Sequence, residues 1–213
     1  MEICRQFFHK RLAFDFASNT LHMPGFFARL FVSFILSICA LFLVILIGFL
    51  VNKLEQAQMK VLSKFFKPKT VFILCNYLTF FGVCVHELSH ALAAWASGAS
   101  VHKIQLFKID DSNQLGCVKF STRGSKFKQH VQLALVSCAP VVTGVLSVYI
   151  LIQSIFFKSF PLWMDIIFWY FLISIIDHMS MSSVDIKNYL RGVLYIFPAT
   201  LVIFWFFVYF FVR

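Results

Sequence analysis

Long apolar runs govern what this chain can fold into. Five stretches, at about 26–51, 70–97, 131–157, 161–184 and 188–212, are each long enough to cross a hydrocarbon core about 30 Å thick as a helix. A soluble globule could not hide the apolar surface of a chain that is 60% hydrophobic and 13% charged, with 29 Phe. In lipid every backbone polar group needs an internal partner, which selects helices for the crossings. The expected fold class is therefore an all-α polytopic membrane protein of about five transmembrane helices. The first run is too long and too late for a signal-peptide core and is expected to stay attached.

Between the second and third runs the period changes from helix to strand. Val101, Ile104, Leu106 and Ile109 precede a polar Asp110-Asp111-Ser112-Asn113 turn, and Leu115, Cys117, Val118 and Phe120 follow it. This predicts a small β-hairpin with imperfect alternation. Residues 1–25 mix Phe7, Phe8, Leu12, Phe14 and Phe16 with Arg5, Lys10 and Arg11, the pattern of either a surface-lying amphipathic segment or an irregular tail. The whole of 1–213 is read as one membrane domain: tail, first span and loop over 1–69, a core over 70–192, and a last span over 193–213.

The net charge of +10 would suggest nucleic acid for a soluble protein. Here it is explained by basic loops, and no nucleic-acid partner is expected. If the five spans alternate, the face holding the N-terminal tail, the 98–130 loop and the 185–191 turn carries twelve Lys and Arg against seven opposite. That bias places the N-terminus in the cytoplasm. The cysteines Cys4, Cys39, Cys75, Cys84, Cys117 and Cys138 form no C-x-x-C pair and read as structural.

Chemistry concentrates in two places. His86-Glu87-Leu88-Ser89-His90 lies late in the second run. Residues four apart share a helix face, so His86 and His90 can aim at one metal ion, while Glu87 can take a proton from a water on it. Ionisable groups cost free energy in a membrane, which favours a functional reading over a chance pair of helix histidines. The second place is the end of the fourth run, where Asp177, His178, Ser180, Ser182, Ser183 and Asp185 interrupt apolar sequence. These side chains can line a local unwinding of the helix. Asp185 is the preferred third ligand, with Asp177 and His178 as alternatives. The structural alternative is a membrane boundary at which Asp185 caps the next helix. Pro140, inside the third run, should free one backbone carbonyl and bend its helix.

Together these residues resemble the site-2 protease family of intramembrane zinc metalloproteases over about 70–192. His86-Glu87-x-x-His90 matches the family's first motif. Ala139-Pro140 is similar to its Gly-Pro motif, with Ala139 where Gly is usual. The run from Asp177 to Asp185 is similar to its N-x-x-P-x-x-x-x-D-G pattern, with Asp177 for Asn, Ser180 for Pro and Ile186 for Gly. The resemblance implies a zinc metalloendopeptidase in which His86, His90 and Asp185 hold Zn2+ and Glu87 is the general base, with Asp177 in the Asn place; Asp177 and His178 stay the candidates for substrate orientation or for an alternative third ligand. It implies a membrane-protein substrate with a transmembrane helix and a lipid bilayer as surroundings; the expected location is a bacterial cytoplasmic membrane, with the N-terminus and, by the charge bias, the active-site side cytoplasmic. A non-hydrolytic metal-binding membrane protein (a transporter or sensor) and an inactive protease-like scaffold are the alternatives.

Overall fold

The computed structural model describes residues 25–106, 116–158 and 160–211. The N-terminal segment and the Asp110–Asn113 turn lie outside the described residues. In chain order the elements are α1 (Gly25–Leu62), α2 (Pro68–Phe72), a π-helical turn (Ile73–Tyr77), α3 (Phe80–Ser97), β1 (Ser100–Gln105), β2 (Cys117–Ser121), α4 (Lys126–Phe157), α5 (Leu162–His178) and α6 (Ser183–Phe211). Helices dominate, and their large apolar side chains are widely exposed, as at Leu88, Leu92 and Trp95 of α3 or Leu146 and Tyr149 of α4. Surfaces of that kind suit lipid rather than water, and the chain is an integral membrane protein.

The described residues fall into two compact units, one made of the chain through Phe42 together with Ile196 onward, the other of Leu43–Tyr195. In the first, the start of α1 runs antiparallel to the end of α6. Phe26 meets Trp205 with ring centroids 5.0 Å apart, and Phe34 meets Phe197 at 5.5 Å. Arg29, the one charge in its apolar run, sits over the Tyr209 ring at 5.3 Å, which partly offsets its desolvation.

The second unit holds the chemistry. Among the described residues three helices (α1, α4 and α6) are long and apolar enough to span, and the pair Pro68–Tyr77 and Phe80–Ser97 makes a fourth candidate bent by 66°. The expected span at 70–97 is thus broken near its middle. Thr79 leaves the helical region with φ −107° and ψ 29°, and its hydroxyl turns back to donate to the Cys75 carbonyl at 2.7 Å. The 17 residues of α5 reach only about 26 Å. The chain then unwinds over Met179–Ser182, and no turn occurs at 185–191, because Ser182 caps a new helix that already contains those residues. Met179 packs on Gly144 of α4 and Gly192 packs on His130 and Ala134. The path from α5 into α6 therefore continues in one direction along α4, as an interrupted helix.

The hairpin is present. β1 and β2 pair antiparallel, Val101 with Phe120, Ile104 with Val118 and Gln105 with Cys117. A register shift between Val101 and Lys103 leaves His102 as the extra residue, which explains the imperfect alternation. The sheet seats Val101 and Phe120 on buried Ala94, Ala99 and Val136, tying it to the end of α3 and the start of α4. Gln132, fully buried, donates to the Ser97 carbonyl at 3.0 Å and accepts from the Arg123 amide at 2.8 Å. Gly98, at φ 79°, ends α3 in the left-handed conformation that glycine adopts without strain.

Candidate metal centre

One face of α3 presents His86 and His90 together, as their spacing requires. Their rings are 4.8 Å apart and their Nε2 atoms 3.1 Å apart. The opposite ring nitrogens are anchored to backbone carbonyls: His86 Nδ1 to His178 O at 2.7 Å, and His90 Nδ1 to Val136 O at 2.8 Å. A carbonyl oxygen only accepts, so in each neutral ring the proton sits on Nδ1. Each Nε2 is then a bare lone pair. The 3.1 Å approach of the two Nε2 atoms is therefore no hydrogen bond but a pair of acceptors aimed at common ground.

Both carbonyls are orphans of helix geometry. Pro140 lacks the N–H that would bond Val136, four residues earlier, and His178 ends α5, where carbonyls have no partner further along the helix. A proline's missing amide donor and a helix end thus supply the two acceptors that fix the imidazoles. Ser89 locks the same approach, its hydroxyl 2.6 Å from that of Thr143, which donates to the Ala139 carbonyl at 2.8 Å.

This donor set fits a zinc ion. Zinc–nitrogen bonds run about 2.0–2.1 Å, so two nitrogens at the observed separation can share one ion, and the carbonyl-bonded Nδ1 is the usual outer partner of a metal-bound imidazole. Among the described residues no three His, Cys, Asp or Glu side chains are grouped as a metal-holding set. Asp185 Oδ2 instead accepts from the Ser182 amide at 3.1 Å and its hydroxyl at 2.6 Å, while Ser182 Oγ accepts from the Asp185 amide at 3.1 Å. That is a reciprocal cap at the start of α6. Half-buried Asp185 is nevertheless within electrostatic reach of Glu87. Asp177 faces elsewhere, into an apolar cavity of about 620 Å³ shared with Leu54, Val61, Cys75 and Leu78. The His178 ring points to Thr79, with Nε2 2.8 Å from the hydroxyl oxygen, while its backbone serves His86.

Glu87 is half-buried beneath the loop end of the hairpin, at Gly116. A Cβ added at Gly116 would lie 2.6 Å from Glu87 Cγ and 2.9 Å from its Oε1, so any side chain there would have to push the carboxylate aside. Gly116 was not singled out from sequence, nor were Gly82, Thr79 and Ser174. A Cβ at Gly82 would lie 1.9 Å from the Ser174 carbonyl oxygen. Ser174 Oγ accepts from the Gly82 amide at 2.7 Å and donates to the Thr79 carbonyl at 2.8 Å, stapling the break in the second span to α5. A signal existed: Gly82 lies one turn before His86, the place for a close helix approach, and Ser174 is a lone hydroxyl within an apolar run.

A family model described as Peptidase M50B-like matches residues 65–211, more than half of the chain. No curated protein and no solved structure gives a significant match. The matched stretch contains both anchored imidazoles, Glu87, Pro140 and the interrupted α5–α6 path. The chain belongs to the Peptidase M50B-like family, the site-2 protease family.

Proposed function

We propose that this protein is an intramembrane zinc endopeptidase that cuts a peptide bond in or near the membrane-spanning segment of another protein. The observation that carries the reading is the pair of Nε2 lone pairs, 3.1 Å apart, each set by an Nδ1–H bond to a carbonyl. His86 and His90 would hold the ion, with Asp185 as third ligand. When bound, zinc supplies Lewis-acid polarisation of the scissile carbonyl and makes water a stronger acid. Glu87 takes the proton from the attacking water and hands it to the departing amine. Gly116 closes over Glu87 and limits bulk water at that carboxylate. A substrate helix must unwind to offer its carbonyls, and the two-stranded sheet has outer edges against which an unwound segment can pair. Basic residues of the N-terminal tail and the 98–130 loop favour a cytoplasmic active-site side, and the proposed location is a bacterial inner membrane.

The test is metal analysis of the purified full-length chain, joined to cleavage of a co-expressed membrane substrate by wild type and Glu87→Gln. Zinc retained with cleavage lost is the expected result. A second reading, a metal-binding membrane protein or scaffold without hydrolysis, is favoured by one observation: Asp185 is engaged in a cap and is not grouped with the imidazoles. It predicts metal bound with no dependence of any activity on Glu87.

A further inference from the structure

His178 touches the site with its backbone, and its ring is committed elsewhere. The Thr79 hydroxyl has one proton, donated to the Cys75 carbonyl at 2.7 Å. Toward His178 the same oxygen is therefore the acceptor, and His178 Nε2 must carry the hydrogen across their 2.8 Å contact. With Nε2 protonated and tied to that hydroxyl, the ring's remaining lone pair is on Nδ1, and its Nε2 side is committed to holding the end of α5 in place.

We infer that Thr79 and His178 form a clamp that positions His86 for metal binding: the Thr79 hydroxyl fixes the His178 ring, and the fixed end of α5 delivers its carbonyl to His86 Nδ1. The inference rests on the proposed metal site and adds two positioning residues to it. Four observations point the same way. Thr79 is the residue at which the second span breaks, so its hydroxyl is free of a continuous helix and can face α5. Ser174, one turn before His178, bonds the same break through the Thr79 carbonyl and the Gly82 amide. Gly82 leaves no space for a side chain between the helices, which sets the α3–α5 distance. His178 is buried, and its ring is held by Thr79 and by the Cys75 backbone at the same break rather than by solvent. The bend of the second span and the orientation of a ligand are then one mechanical unit.

The experiment is cobalt(II) titration of the purified full-length protein, read by visible absorption bands that report ligand geometry. Thr79→Val keeps the shape and removes the hydroxyl. It should weaken cobalt binding by about tenfold, the lower end for loss of an outer partner of a metal ligand, and change the band pattern. Thr79→Ser should restore both. His178→Phe should resemble Thr79→Val, whereas His86→Ala should abolish binding. Unchanged affinity and spectrum in Thr79→Val overturn the clamp while leaving the metal site standing. Complete loss of cobalt in His178→Phe, equal to His86→Ala, overturns it too, by making His178 a ligand. Should wild type itself bind no cobalt, the metal reading fails first, and the clamp with it.

Discussion

Pro140 and His90 are joined through a single carbonyl: the proline denies Val136 O its helical donor, and His90 Nδ1–H occupies it at 2.8 Å. A proline in a spanning helix is tolerated when a neighbour re-satisfies the freed group. Here the neighbour is a candidate zinc ligand, so the freed carbonyl of α4 and the tautomer of His90 have one cause. Pro140→Ala restores an N–H that competes for Val136 O. It should leave the metal-free protein no less stable, since an interior proline costs a helix about 3 kcal/mol, yet weaken metal binding by about tenfold. Thermal melting beside cobalt titration checks both halves, and unchanged affinity would show that the carbonyl serves both donors.

Glu87→Gln removes the base and keeps the volume. The turnover number on a membrane substrate should fall by about 10²–10⁴, with zinc content unchanged. Cleavage at wild-type rate would remove Glu87 from the mechanism.

Gly116→Ala places a methyl against the flexible end of Glu87, at 2.6 Å from Cγ. The fold should survive because that side chain can move, but the carboxylate then leaves its position. Cleavage should drop more than about tenfold with metal affinity intact, because general-base transfer needs hydrogen-bond geometry. Loss of metal together with cleavage would mean that the hairpin supports the histidines instead.

Gly82→Ala cannot be relieved so easily, because its Cβ would meet the Ser174 backbone oxygen at 1.9 Å. Overpacking at backbone typically costs about 1–3 kcal/mol, and here α3 must separate from α5. Reduced thermal stability and reduced zinc content should appear together. A stable variant with full zinc would show that the helices can part without disturbing His86.

Asp185 has two candidate duties, and two variants separate them. Ser182→Ala loses the cap and should cost about 1 kcal/mol of stability with zinc retained. Asp185→Ala should lose zinc as His86→Ala does if the carboxylate leaves its cap to complete the metal set. Zinc retained in Asp185→Ala would leave its role as the helix cap seen here.

What the sequence determined by itself is local. Spacing of four put His86 and His90 on one face, apolar run length required helices in lipid, and Pro140 had to orphan Val136 O, because these follow from backbone geometry alone. The hairpin was legible too, though the bulge at His102 was visible only as broken alternation. Tertiary structure decided the rest. Run length does not say where a helix breaks when another helix offers hydrogen bonds at the break, as Ser174 does at Thr79. Nor could sequence show which acceptor each imidazole takes, or that Gly116 lies on Glu87, since those contacts join residues far apart in the chain. Orphaned carbonyls and lone pairs are made locally, but what satisfies them is settled only when the helices meet.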